Sequence, residues 1–311
     1  MAYLSPRSDT AFKKLFGHEN HTSLTISFLN AILQLPDEKL IDKIYLQETK
    51  QWPNSINGRE VAFDVYCKDD KNDPNNHFII EMQSLNEYNF SERAQYYVAR
   101  ALSNQLKPTE NYLGLVPVIF IGVINYNLEK IHKEKLERKF RLASLIALEE
   151  FIQKSHDPLS HYSLINRATG QILPVPLMEF HFVELPKFNK SIEECTTDID
   201  KWLYFMKEAD SCEQVPAQMK KSKNFTQAFE ILNKKNWTNE EFEDYVNELD
   251  SLGREDRVAE GNFYYGKDEG MQEKAQAIAL ESLKEGLSLL TISKITGLAI
   301  EDLEALQKKL S

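Results

Sequence analysis

Apolar positions recur at two different periods along the chain, and the changes of period mark out its elements. Phe12, Leu15 and Phe16 fall at helical spacing within residues 8–17, with Ser8 or Asp9 placed to cap the start and Gly17 to stop it. Leu24, Phe28, Leu29, Ile32 and Leu33 predict a second helix from Thr22 to Leu35, closed by Pro36. The period then shortens. Residues 41–49, 60–69 and 77–83 read as strands, separated by Trp52-Pro53-Asn54 and Asn57-Gly58 and then by the polar insert KNDPNN. A helix over 91–106 follows, with Ala94, Tyr97, Val98, Ala101 and Leu102 on its apolar face. Residues 117–124 are an almost unbroken β-branched and aromatic run, the pattern of a strand buried on both sides.

Between 127 and 176 the pattern blurs, and KIHKEKLERKF at 130–140 reads as an exposed helix or an insertion. EFHFVE at 179–184 alternates again and predicts one more strand. Residues 199–206, 224–230 and 240–251 are helical in pattern, with Trp202, Phe205, Phe225, Phe229, Phe242, Tyr245 and Leu249 as core. Past Gly253 the chain reads as a long solvated helix, followed by two short apolar segments broken at Gly297. That outline fits a helix-turn-helix or a helical hairpin for self-association. Glu301, Asp302 and Glu304 on the second segment would repel phosphate, which favours the hairpin. The expected division is an α/β domain at 1–190, a helical extension at 191–255 and a helical tail at 256–311.

Chemistry enters where the strand pattern is broken by oxygen-bearing side chains. On 77–83, strand alternation places Glu81 and Gln83 on the face of Ile79, opposite Phe78, Ile80 and Met82. On 60–69 it places Asp64 with Ala62 and Tyr66, opposite Val61, Phe63 and Val65. Acidic groups are seldom buried unless they are paired or bind a metal. A structural role for Asp64, pairing with Lys68 or Arg59, is the plainer alternative. Lys13 and Lys14 fall on a solvated helix face, and Arg93 and Arg100 face either phosphate or neighbouring glutamates. His18 and His21, or His156 and His161, form pairs that no cysteine or carboxylate completes to a zinc spacing.

The Asp-x(16)-Glu-x-Gln pattern resembles the PD-(D/E)XK nuclease superfamily. SPRSDTAFKKLFG at 5–17, FLNAIL at 28–33, IIEMQ at 79–83, ERAQYYVAR at 92–100 and VELPKF at 183–188 occur in the order of one branch, the Rpn family of recombination-promoting nucleases and transposases. The resemblance implies an α/β (α+β) fold with a restriction-endonuclease-like core, a mixed central sheet flanked by helices. It implies that Asp64 and Glu81 hold a divalent cation, with the Met82 or Gln83 carbonyl as a further ligand. Gln83 stands where that superfamily usually has the lysine attending the attacking water, and Asp9 falls on a first-helix acid. Carboxylate oxygens suit Mg²⁺, with Mn²⁺ as an alternative. The implied activity is metal-dependent DNA endonucleolytic cleavage in recombination or in defence against foreign DNA. The competing reading is an inactive nuclease fold that binds DNA or protein.

Composition adjusts this only slightly. Forty-two per cent hydrophobic residues in 311 supply a substantial core. A net charge of −11 speaks against indiscriminate nucleic-acid binding, although a local basic patch still serves a nuclease. Cys67, Cys195 and Cys212 lack any disulfide or metal spacing, and the opening MAYLSPRSD has no apolar run; together they suggest a cytoplasmic protein with no membrane partner. A homodimer through the C-terminal helices is the expected assembly.

Overall fold

The computed structural model describes residues 2–51, 60–70, 76–107, 109–128, 131, 157–284, 287–296, 298, 300, 302–303 and 306–307. The chain forms two compact units, Met1–Leu249 and Asp250–Ser311.

The first unit opens with α1 (Asp9–Phe16), whose N-cap is Ser8, accepting from the Ala11 N–H at 3.1 Å; Asp9 is the first helical residue and not the cap. Helix α2 (Thr22–Leu33) stops two residues short of the expected end, because Gln34 turns into the left-handed region at φ 49°. Strands β1 (Ile44–Leu46), β2 (Lys50–Gln51), β3 (Val61–Ala62), β4 (Val65–Asp69) and β5 (His77–Gln83) come next, then α3 (Phe90–Ser103) and β6 (Val118–Ile124). Strands β7 (Leu159–Tyr162) and β8 (Met178–Glu184) precede helices α4 (Asp198–Glu208) and α5 (Lys223–Leu232). Helix α6 runs from Asn239 to Lys284, and α7 covers Leu289–Thr296.

Six strands form one mixed sheet in the order β1-β4-β5-β6-β8-β7, as a mixed α/β core requires. Strands β5, β6 and β8 run parallel to one another, and the outer pairs are antiparallel. Every residue of β6 is buried, as its unbroken apolar run predicts for a strand covered on both faces. One face carries Val65, Cys67, Phe78, Ile80, Ile119, Ile121 and Val183 against Phe12 and Phe16 of α1, Phe28 of α2, Trp202 and Phe205 of α4, and Phe225 and Phe229 of α5. The other carries Ile79, Val118, Phe120, Ile124 and Phe182 against Phe90, Ala94, Val98 and Ala101 of α3.

The expected single strand over 60–69 is in fact two. β3 pairs with β2 in a separate two-stranded ribbon, and the chain changes partners at Phe63–Asp64 before β4 joins the main sheet. The break undoes the alternation across it. Phe63 lies on the same side as Tyr66, ring centroids 5.4 Å apart, rather than opposite it. A second correction concerns Leu249, which is 42% exposed and not core. The insert at 71–75, the turns at 52–59 and the charged stretch at 130–140, apart from Ile131, lie outside the described residues, as do Gly297, Glu301 and Glu304.

In the second unit, Ala279, Ile292 and Leu303 are buried together with Leu283, Leu289, Leu298 and Leu306 around them, so the apolar periodicity of the tail closes a small core.

Gly122 shows how tightly α3 seats on the sheet. A Cβ there would stand 2.9 Å from Phe90 Cε1, 3.0 Å from Phe120 Cε1 and 3.1 Å from Phe182 Cδ1. Gly122→Ala is therefore expected to destabilise by about 1–3 kcal/mol through overpacking, read as a lowered midpoint in urea denaturation.

Candidate active site

The partner change at Phe63–Asp64 creates the site. The β4–β5 ladder ends at Val65↔Ile80, so Asp64 and Glu81 are the next opposing residues just beyond its last pair. With the ladder ended, two backbone N–H groups need other acceptors. Asp64 N–H donates to Glu81 Oε1 at 3.0 Å, and Met82 N–H donates to Asp64 Oδ2 at 2.9 Å. Each carboxylate is thus tied by one oxygen to the other's strand. The remaining oxygens face cations: Asp64 Oδ1 lies 3.4 Å from Lys13 Nζ, and Glu81 Oε2 lies 3.9 Å from an Arg93 nitrogen.

Glu81 is only 4% exposed and the Asp64 side chain 13%. Burial, and next the charge of Asp9, push the Asp64 carboxyl from an ordinary 3.8 up to about 6, with Met82 N–H and Lys13 opposing. Burial, and next the charge of Asp64, hold Glu81 well above the usual carboxylate range. The two cations therefore leave this pair short of positive charge.

Lys13 lies on an exposed face, as its spacing predicts, its side chain 45% exposed, and from there it bridges Asp9 Oδ2 at 2.7 Å and Asp64. Burial works against its charge, but the hydrogen bond it donates to Asp9 and the charge of Asp64 outweigh that and raise its pKa. Asp9, half exposed, reaches Asp64 through this shared lysine. Lys14 does lie apart from the site, paired with Glu241 and 4.5 Å over the Trp237 ring. The plainer pairing of Asp64 with Lys68 or Arg59 gives way to Lys13; Arg59 itself is outside the described residues.

Gln83 accepts from an Arg93 nitrogen at 2.7 Å through Oε1 and donates to the Leu85 carbonyl at 3.1 Å through Nε2. Its own carbonyl accepts from Asn125 N–H at 3.0 Å. Arg93 also pairs with Glu87 at 2.7 Å and lies over the rings of Phe90 and Tyr97 at 5.1 and 5.7 Å. Sequence reasoning placed Lys13 and Tyr97 only on helix faces and left Arg93 between phosphate and neighbouring glutamates, of which Glu87 is its partner here. The Asp9-to-Lys13 spacing of four was the available signal for Lys13, since it sets both on one stripe of α1.

The family model for PD-(D/E)XK nuclease family transposases matches residues 6–156 and 143–254, which takes in this site and the whole sheet. The chain belongs to that family. No curated protein and no solved structure matches it significantly. A six-stranded mixed sheet flanked by helices is the architecture that family membership calls for, and it carries nuclease-type activity as the general expectation. Among the described residues, no helix is long and apolar enough to cross a membrane.

The donor set of this PD-(D/E)XK chain fits a hard divalent cation. Its donors are carboxylate oxygens, fixed in place and under-neutralised. Asp9, Asp64 and Glu81 do not close into a preformed three-ligand cage. The one trio of His, Cys, Asp or Glu whose ligand atoms all approach within 4.8 Å, among the described residues, lies elsewhere, at His161, Glu179 and His181.

A raised carboxyl pKa in the fold means that folding favours the protonated form. The contribution is fully present below about pH 3.8 and is lost as pH rises through about 6. Asp64→Asn is uncharged throughout, so without divalent cations it should melt higher than the parent near pH 8, with the gap closing towards pH 4. Paired thermal melts at the two pH values check this.

Proposed function

We propose that this chain is a Mg²⁺- or Mn²⁺-dependent DNA endonuclease that hydrolyses phosphodiester bonds, with Asp64 and Glu81 as the metal-holding carboxylates. The observation that carries the reading is the mutual tie of Asp64 and Glu81 to each other's strand, which fixes a buried and a partly buried carboxylate, both under-neutralised, side by side. The Met82 carbonyl is a further candidate ligand beside them. Bound there, the cation supplies a water of lowered pKa and positive charge against the scissile phosphate.

The chain's own residues do the rest. Glutamine cannot take a proton near neutral pH or bring charge, so Gln83 does not replace the lysine usual at its position. Instead its amide holds Arg93, and Lys13 enters from α1 on the other side. These two cations are placed to take up phosphate charge once the carboxylates turn to a metal. Asp9 keeps Lys13 charged and aimed at Asp64. Likeness of the quoted sequence blocks to the Rpn branch supports a role in recombination or in defence against foreign DNA.

A second reading has an observation in its favour. Both free carboxylate oxygens already face cations, an arrangement that an inactive binding module could keep permanently.

Incubation of the purified chain with plasmid DNA in Mg²⁺, Mn²⁺, Ca²⁺ or EDTA tests the first reading. Cutting should require Mg²⁺ or Mn²⁺ and fall below detection in Asp64→Ala and Glu81→Ala. Calorimetric titration of Mn²⁺ separates the two readings, since an inactive module shows no heat that depends on Glu81. Lys13→Gln should retain metal binding but slow cleavage by roughly 10²-fold, the scale of one lost electrostatic contact to a transition state.

A further inference from the structure

The outer margin of the sheet holds a second group of ligand-bearing side chains. β7 and β8 are antiparallel, with His161 directly opposite His181 in the register. Glu179 precedes His181 by two residues and shares its face. That is the face of Val183 and Leu159, which lie on the α1–α2–α4 side of the sheet. Glu81 projects on the opposite side, toward α3, and two strands away. The two sites are separate.

His161 Nε2 lies 3.3 Å from Glu179 Oε2, and His181 Nε2 lies 3.9 Å from the same oxygen. All three ligand atoms fall within 4.8 Å of one another. Donors on a tetrahedral ion with bonds of about 2.0–2.1 Å stand roughly 3.3–3.4 Å apart. The 3.3 Å distance already matches, the 3.9 Å one must shorten slightly, and the imidazole-to-imidazole distance, within 4.8 Å, closes as a ring turns. The imidazole rings are stacked, 4.3 Å apart and within 11° of parallel. Their in-plane lone pairs do not converge in that pose, so binding turns one ring about χ2. His161, with its side chain 49% exposed on the outermost strand, has the room to do so.

We propose that His161, Glu179 and His181 bind a borderline first-row divalent ion of the zinc class and that the ion clips β7 onto β8. Two imidazoles and one carboxylate suit zinc or its neighbours, not Mg²⁺, which takes oxygen ligands. Three protein ligands leave one position for water, and the exposed side of His161 provides the way in. The structural gain is at the edge. β7 has four residues and, among the described residues, pairs only with β8, so an ion held by both strands secures the last strand of the sheet. An ion bound only by the folded chain also raises its melting temperature.

Sequence spacing could not show this trio, because His161 and His181 become neighbours only through strand register. His156, considered beside His161 from sequence, lies outside the described residues; among those described, Glu179 and His181 are the companions of His161.

The test is a Co²⁺ titration of the full-length chain followed by visible d–d absorption, with Zn²⁺ competition to give the affinity. The Asp64→Asn/Glu81→Gln double variant should keep the d–d bands, because the other site plays no part. His161→Ala, an exposed position whose folding is verified by circular dichroism, should weaken Zn²⁺ binding by more than about 100-fold, since loss of an outer-sphere partner alone costs 10–100-fold. His181→Ala should do the same, and Zn²⁺ should raise the melting temperature of the parent but not of His161→Ala. Unchanged affinity in His161→Ala would overturn the proposal. So would bands that vanish with the double carboxylate variant, or thiolate charge-transfer bands placing the ion on Cys67, Cys195 or Cys212.

Discussion

Two backbone N–H groups given to two carboxylate oxygens hold the centre of this molecule together. Where the β4–β5 ladder ends, the N–H groups of Asp64 and Met82 would otherwise lack an acceptor, and the Asp64 and Glu81 carboxylates would have only Lys13 and Arg93 to answer their charge. Each deficit answers the other. The arrangement needs the chain to leave the sheet at Phe63–Asp64, which is why β3 belongs to a separate ribbon with β2. It also needs α3 close over β5, and the missing side chain of Gly122, beside Glu81 in the ladder, leaves space for Phe90 there.

How far the sequence disclosed this depends on whether a signal was local. β6 was plain, because seven consecutive buried positions leave their mark without reference to anything distant. Glu81 and Gln83 were placed on the correct face because β5 is a regular strand with a two-residue period. Phe63 was misplaced because a change of hydrogen-bonding partner interrupts that period without altering residue type. The tie of the exposed Lys13 to Asp64 was missed for a related reason. A lysine beside an aspartate four residues away looks like any solvated helix face, and only the docking of α1 brings it to Asp64. The His161–His181 pairing was out of reach, since the region before β8 offered no legible register.

The departure at residue 83 also acquires a physical account. A lysine there would bring its charge along the strand itself. This chain brings charge from two helices instead, Lys13 from α1 and Arg93 from α3, on opposite sides of the carboxylate pair. Gln83 then becomes a brace for Arg93, and Glu87 holds the same guanidinium from another direction. Positive charge delivered from separate elements depends on the tertiary fold in a way that charge on the strand does not.

The start of the chain is held by segments synthesised more than two hundred residues later. Tyr3 forms a bridge with Asn233, Leu4 N–H donates to the Leu232 carbonyl at 2.9 Å, and Ser5 N–H donates to the Tyr245 hydroxyl at 3.0 Å. Glu248 accepts from the Asp9 and Thr10 N–H groups at the head of α1. A nascent chain has α2 on which to pack α1 through Phe16 and Phe28, but the hydrogen bonds at the head of α1 close only once the beginning of α6 has emerged. Such long-range closure is slow. The capping of α1 therefore lags behind its local packing on α2 as the newborn polypeptide folds.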